Sequence, residues 1–325
     1  MKPQLFFALF TGLALTVSSA FAQDAVPTNR YAMKLEKKAD GSYALQKEDR
    51  YAKILNLSEI PDLYVPYTHV NDRLTGKLYN KVETVEIEYK GKLKIAVDKA
   101  ISEGPSPVVF FCHGGGWARG NFDASRPLTK YLAQNHGITG VRIEYTLAPE
   151  PGANVNVSIQ DVLDAVQYIR DHAAELNVDP SRMAFGGTSA GAHLAACAAM
   201  KTPEAKVFFG YSGIYDLTTA AIVQKTKDKQ RIQYFGDRDE KCLRDASPIY
   251  LIPKKTKIAA QIFCGTGDIT VEYSQSEAFA DELKRHKAKV DLQVYKNYDH
   301  GLNSKSSDKM EEIFFKTVDF VVANL

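Results

Sequence analysis

Apolar and polar positions along this chain follow two periods. Residues 82–89 set Val82, Val85, Ile87 and Tyr89 against polar neighbours, the alternation of a half-exposed strand. Residues 93–97 follow Gly91 closely and are expected to pair with it as a hairpin. Residues 107–112 are apolar throughout and predict a buried strand, as does 138–145. Over 158–176 the period changes: Ile159, Val162, Val166, Ile169 and Ala173 share one face at helical spacing, with Ser158 and Asp161 suited to the first turn. A short apolar run at 183–185 precedes an alanine-rich helical stretch at 192–200. Further strands are predicted at 206–211, 258–264 and 290–295, and helices at 273–286 and 307–323. This alternation predicts an α/β class protein, a mostly parallel sheet covered by helices. Two segments fall outside it. Residues 23–80 are rich in tyrosine and charge, and residues 214–251 are polar and interrupted.

Two glycine clusters punctuate the strands. Gly186-Gly187-Thr188-Ser189-Ala190-Gly191 lies between the run at 183–185 and the alanine-rich helix, so Ser189 sits on a strand–turn–helix corner. Upstream, the strand at 107–112 runs into His113-Gly114-Gly115-Gly116-Trp117. Glycines let a backbone approach its surroundings closely and present its N–H groups unobstructed.

His-Gly-Gly-Gly followed by Gly-x-Ser-x-Gly resembles the α/β-hydrolase fold in its esterase and lipase branch. Tyr145-Thr146-Leu147-Ala148-Pro149-Glu150 is similar to a segment of hormone-sensitive-lipase-like esterases. Asp245-Ala246-Ser247-Pro248, Gly265-Thr266-Gly267-Asp268-Ile269-Thr270-Val271 and Gln275-Ser276 resemble the acetylxylan and feruloyl esterase-like group. The resemblance covers about residues 82–325. It implies a mostly parallel eight-stranded sheet flanked by helices, with a small cap inserted at 214–251. The expected division is a catalytic domain at 81–325 behind an extension at 23–80. In the extension, Tyr64, Tyr67 and Tyr79 either rim a substrate cleft or fix the extension to the domain surface.

In that fold a serine nucleophile is followed in the chain by an acid and then a histidine. A serine hydroxyl is a weak nucleophile until a base takes its proton and a third group orients the base. Ser189, Asp268 and His300 are the candidates in that order. Asp216, after the strand at 206–211, is the rival acid. Asp299 adjoins His300, and neighbouring side chains seldom face each other. The N–H groups of Gly115, Gly116 and Ala190 are the candidate oxyanion hole. Of the other histidines, His113 is expected to order the glycine loop and His193 to pack beneath the serine turn. His69, His136, His172 and His286 read as surface or packing residues. Trp117 either walls the acyl pocket and binds substrate, or simply packs.

The implied activity is that of a serine carboxylesterase hydrolysing short-acyl esters, acetyl or feruloyl esters of plant carbohydrate among them. The alternatives are an amidase or arylformamidase, a lipase, and a non-catalytic binding protein on the same scaffold. Expected partners are small-molecule or carbohydrate ester substrates.

Charge changes this picture little. With 41 Lys and Arg against 39 Asp and Glu, the net charge is +2, which gives no reason to expect nucleic acid or an anionic membrane as partner. The local cluster Lys225, Lys227, Lys229 and Arg231 reads as a solvated face. Residues 1–22 have the pattern of a cleavable leader: Lys2, an apolar core over 5–17, and Ala20-Phe21-Ala22 as cleavage site. The expectation is a cut after Ala22 and a secreted or periplasmic product without a membrane span. The spacing of Cys112, Cys197, Cys242 and Cys264 resembles no zinc site, and four thiols with no cofactor and no metal are expected.

Overall fold

The computed structural model describes residues 81–303 and 308–325, together with two short antiparallel strands, β1 (Leu35–Lys37) and β2 (Tyr43–Leu45). The chain divides into two units, Met1–Val70 and Asn71–Leu325. The expected leader, the rest of the 23–80 extension with its three tyrosines, and His69 lie outside the described residues.

The second unit contributes β3 (Thr84–Lys90), β4 (Leu93–Asp98), β5 (Ser106–Cys112), β6 (Thr139–Ile143), β7 (Val178–Thr188), β8 (Ala205–Tyr211), β9 (Ala259–Gly265) and β10 (Lys289–Tyr295). They form an eight-stranded sheet in the order β10-β9-β8-β7-β5-β6-β4-β3. From β10 to β6 the neighbours run parallel, and the β3–β4 hairpin closes one edge antiparallel. This is the mostly parallel sheet that the resemblance implies. Residue type follows position. The central β5 is buried nearly throughout, as a strand covered on both faces must be. The edge strand β3 alternates between half-buried and exposed residues over most of its length.

The helices are α1 (Arg126–His136), α2 (Val155–Asp171), α3 (Ala190–Lys201), α4 (Ala221–Gln224), α5 (Lys229–Tyr234), α6 (Glu240–Asp245), α7 (Pro248–Leu251), α8 (Ser274–Arg285) and α9 (Asp308–Asn324). The polar segment at 214–251 therefore holds four short helices, α4 to α7, between β8 and β9. Helix α3 is buried from Ala190 to Met200. Its alanines leave room for it to lie close against the sheet, and a helix apolar on all sides belongs in an interior.

Two elements depart from the periodicity. Helix α2 begins at Val155, not Ser158, because the Asn154 side chain caps it by accepting from the N–H groups of Asn156 and Val157. Ser158 and Asp161 are thus inside the helix and buried. Asp161 accepts from Lys90 Nζ and from the Thr146 N–H, each at 2.8 Å. Helix α1 was not predicted at all. Its buried face is Leu128, Thr129, Leu132 and Ala133, Pro127 lies in the first turn where its missing N–H costs nothing, and Gly137 ends it at φ 63°.

One buried ion pair ties the antiparallel edge to the parallel sheet. Asp98 at the end of β4 faces Arg142 in β6, and both side chains are at most 2% exposed. The guanidinium donates to both carboxylate oxygens, Nε at 2.9 Å and Nη2 at 3.1 Å. Thr84 and Thr129 hydroxyls, each at 2.6 Å, complete the carboxylate's partners. Removing one member strands the other charge without water. Arg142→Met is therefore expected to lower the unfolding free energy by about 3–5 kcal/mol. Chemical denaturation measures it, and a loss below about 1 kcal/mol would mean the network does not hold this edge.

Candidate active site

Three side chains from three loops meet at one edge of the sheet. Ser189 follows β7, Asp268 lies three residues beyond β9, and His300 lies five beyond β10. These strands are parallel, so their C-terminal ends lie together, and loops leaving them share an edge.

Ser189 occupies the corner between β7 and α3 with φ 55° and ψ −122°, a left-handed conformation that costs a non-glycine residue energy. Its N–H donates to the Tyr211 carbonyl at 2.8 Å and its carbonyl accepts from the His193 N–H at 3.2 Å, which hold the strained turn at both ends. The flanking glycines are required by contact. A Cβ on Gly187 would fall on the Gly191 backbone, and one on Gly191 would fall on the carbonyl oxygens of Cys112 and His113. The serine turn is thereby pressed against the start of the glycine loop. A Cβ on Gly114 would lie 2.9 Å from the Thr188 oxygen and 3.4 Å from Ser189 Cβ.

His300 Nε2 lies 2.9 Å from Ser189 Oγ, and Nδ1 lies 2.7 Å from Asp268 Oδ2. A carboxylate only accepts, so Nδ1 carries the proton and Nε2 is left to accept from the serine hydroxyl. The other oxygen of Asp268 accepts from the N–H groups of Thr270 at 2.8 Å and Val271 at 2.9 Å. The carboxylate is 1% exposed and the imidazole 13%. The rival Asp216 is engaged elsewhere: Oδ1 accepts from Thr218, and Oδ2 from the Tyr250 hydroxyl at 3.2 Å.

The glycine loop turns sharply beside the serine. Gly115 and Gly116 have φ of 127° and 63°. Among the described residues none accepts from the N–H groups of Gly115, Gly116 or Ala190. His113 is 2% exposed, stacks on Tyr145 with ring centroids 4.4 Å apart, and donates from Nδ1 to the Gly114 carbonyl at 2.8 Å. Tyr145, from the segment after β6, donates to the His113 carbonyl at 2.8 Å. No group of three or more metal-ligating side chains occurs among the described residues. Nor does any helix there have the length and apolarity to cross a membrane.

Trp117 does not wall a pocket. It is 0% exposed at φ 59°, and its indole N–H donates to His193 Nδ1 at 3.2 Å. Its ring packs edge-on against Phe235 and tilted against Tyr234, with centroids 5.0 and 6.5 Å away. The tryptophan therefore anchors the 214–251 segment to the glycine loop. His193 extends the tie, since its Nε2 donates to the Ala246 carbonyl at 2.7 Å. Neither role is legible from local sequence, because the partners lie 53 to 118 positions apart in the chain and meet only on folding; the one signal for the tryptophan's role is the aromatic pair Tyr234-Phe235.

The four cysteines are free thiols, with Cys112, Cys197 and Cys264 buried. Burial pushes both His113 and His193 down to about 4, from 6.5. Both are thus neutral in the folded protein and charge more readily once unfolded. The unfolded chain then binds more protons between these values, so stability is full above about pH 6.5 and is lost as pH falls through about 4. Each histidine is expected to contribute about 3 kcal/mol to that loss. Denaturation midpoints from pH 7 to 4 measure it, and His193→Gln is expected to flatten the slope. A slope identical to that of the parent would contradict the assignment.

Residues 93–283, more than half of the chain, match the BD-FAE family. A probable isoprenylcysteine alpha-carbonyl methylesterase of Arabidopsis thaliana is 28% identical over 222 residues, covering 61% of this chain and 46% of that protein. A carboxylesterase of Mycobacterium tuberculosis is 39% identical over 90 residues, 28% of each chain. An esterase of Thermogutta terrifontis, solved with propionate bound, superposes with a TM-score of 0.62 at 25% identity, covering 74% of this chain and 93% of that one. The chain spans about half the length of the first of the curated relatives it matches. On this match over residues 93–283, the chain belongs to the BD-FAE family of α/β-hydrolase esterases.

Proposed function

We propose that this protein is a serine carboxylesterase that hydrolyses short-acyl esters through an acyl-enzyme. The observation that carries this reading is the unbroken relay from Ser189 Oγ through His300 to Asp268, at 2.9 and 2.7 Å. Ser189 attacks the ester carbonyl carbon while His300 Nε2 takes its proton. Asp268 keeps the imidazole in the Nδ1–H tautomer and stabilises the imidazolium that forms. The N–H groups of Gly115, Gly116 and Ala190 receive the negative oxygen of the tetrahedral intermediate. Its collapse breaks the bond to the alcohol oxygen, which leaves with the proton from His300. Water, deprotonated by the same histidine, then attacks the acyl carbon and releases the acid and the serine hydroxyl.

The esterase relatives support the reaction class, and propionate in the Thermogutta terrifontis esterase supports a small acyl group. The leader pattern at 1–22 supports export. An exported short-acyl esterase fits acetyl or feruloyl esters of plant carbohydrate as natural substrates.

The test is turnover of p-nitrophenyl esters from acetate to palmitate. Fast hydrolysis of acetate and butyrate, abolished in Ser189→Ala, is the expected result. No turnover by the folded parent, or most activity kept in the variant, would sink the reading. Asp268→Asn is expected to lower kcat by about 10⁴ through the wrong tautomer. Asp216→Asn, whose carboxylate serves Thr218 and Tyr250, is expected to stay within about threefold of the parent; a fall matching that of Asp268→Asn would reassign the acid.

A further inference from the structure

In the basic cluster of the 214–251 segment, Lys225, Lys227 and Lys229 are exposed, as in a solvated face, and Arg231 is the exception. Arg231 is half-buried, and its Nη2 lies 3.3 Å from where a Cβ on Gly116 would stand. A guanidinium therefore rests against one of the two loop glycines proposed to receive the oxyanion. Its position is built in. Arg231 lies in α5, whose first turn is capped by the Asp228 side chain, accepting from the N–H groups of Gln230 and Arg231. Tyr234 and Phe235, at the end of the same helix, are the residues that pack on Trp117. The Tyr234 hydroxyl donates to Ser158 Oγ at 2.8 Å, fixing the helix from a second side.

The other loop glycine also has an arginine beside it. The Cγ of Arg119 lies 3.2 Å from a Cβ on Gly115, and the Arg119 side chain is on an exposed residue. Among the described residues no acid pairs with Arg119. The Arg231 guanidinium and the stem of Arg119 thus border the glycine loop on which the ester would lie. A guanidinium offers five N–H donors in a planar fork, so it can hold a neighbour and still present two donors to a carboxylate. Because Arg231 is half-buried, such a contact is stronger there than in open water.

We propose that Arg231, assisted by Arg119, forms a subsite for a carboxylate carried by the ester substrate. The inference rests on the esterase reading and deepens it: the preferred esters are monoanions, not neutral molecules. The carboxylate can belong to the acid part, as in a half-ester of a dicarboxylic acid, or to the alcohol part, as in an acetylated hydroxy acid or uronic acid.

The experiment compares two matched pairs at neutral pH. Monoethyl glutarate against diethyl glutarate, read as ethanol release, places the charge on the acid side. Acetoxyacetate against ethyl acetoxyacetate, read as acetate release, places it on the alcohol side. The parent is expected to favour the monoanion in at least one pair, and higher ionic strength to narrow that preference. Arg231→Gln is expected to reduce kcat/KM for the favoured anion about tenfold more than for its neutral mate. Arg231→Lys, which keeps the charge and loses the fork, is expected to recover part of the preference. The parent's own preference is read without any variant, so a misfolded Arg231→Gln leaves the test intact. A parent that prefers both neutral esters, or an equal fall in both members of a pair in Arg231→Gln, would overturn the subsite while leaving the esterase reading in place. A parent that hydrolyses none of the four, and no p-nitrophenyl ester, would overturn both.

Discussion

Everything at the catalytic edge depends on one close approach of backbone to backbone. Gly191, in the first turn of α3, lies against the carbonyls of Cys112 and His113, and Gly187 lies against Gly191. No side chain fits in either space. The contact brings the N-terminus of α3, the strained Ser189 and the start of the glycine loop into a single knot. Three N–H groups, from Gly115, Gly116 and Ala190, are left without a protein acceptor among the described residues. The positive end of α3 adds to the field there. The φ of 55° at Ser189 is tolerable because hydrogen bonds to Tyr211 and from His193 hold both sides of the turn.

Around this knot several buried polar side chains have definite partners. His193 accepts from Trp117 and donates to Ala246, joining the glycine loop, α3 and the inserted segment. His113 and Tyr145 stack and bond beneath the loop. Farther out, Asp98 and Arg142 secure the antiparallel edge. These are hydrogen-bonded or paired groups whose partners are already chosen in the folded state, which is why they specify one arrangement and not a family of similar ones.

How much of this was legible in the sequence differs by element. The sheet was, because β5 is continuously apolar and β3 alternates, and each pattern has one physical meaning. Ser189 and His300 were legible through glycine-bounded corners. Asp268 and Asp216 could not be separated by spacing alone, since both follow strands in the same half of the sheet; the difference lies in which carboxylate reaches the imidazole and which is taken by Thr218 and Tyr250. Helix α1 is not legible in the sequence because its buried face is short and includes a proline and a threonine. The start of α2 was misplaced because the cap is Asn154 and the polar Ser158 and Asp161 point inward, where Thr146, Tyr234 and Lys90 satisfy them. The two alternatives for Trp117 could not be separated in the sequence because its surroundings come from segments distant in the chain.

The insertion between β8 and β9 is fastened to the sheet domain at a few points, chiefly Tyr234 and Phe235 on Trp117, Ala246 on His193, and the Tyr234 hydroxyl on Ser158 Oγ. Its outward residues share none of these fastenings. The chain thus separates two kinds of residue. The glycines that position Ser189 are locked by steric necessity, whereas the exposed residues of 214–251 carry no such constraint, so the surface beside the serine can vary without disturbing the turn that holds it.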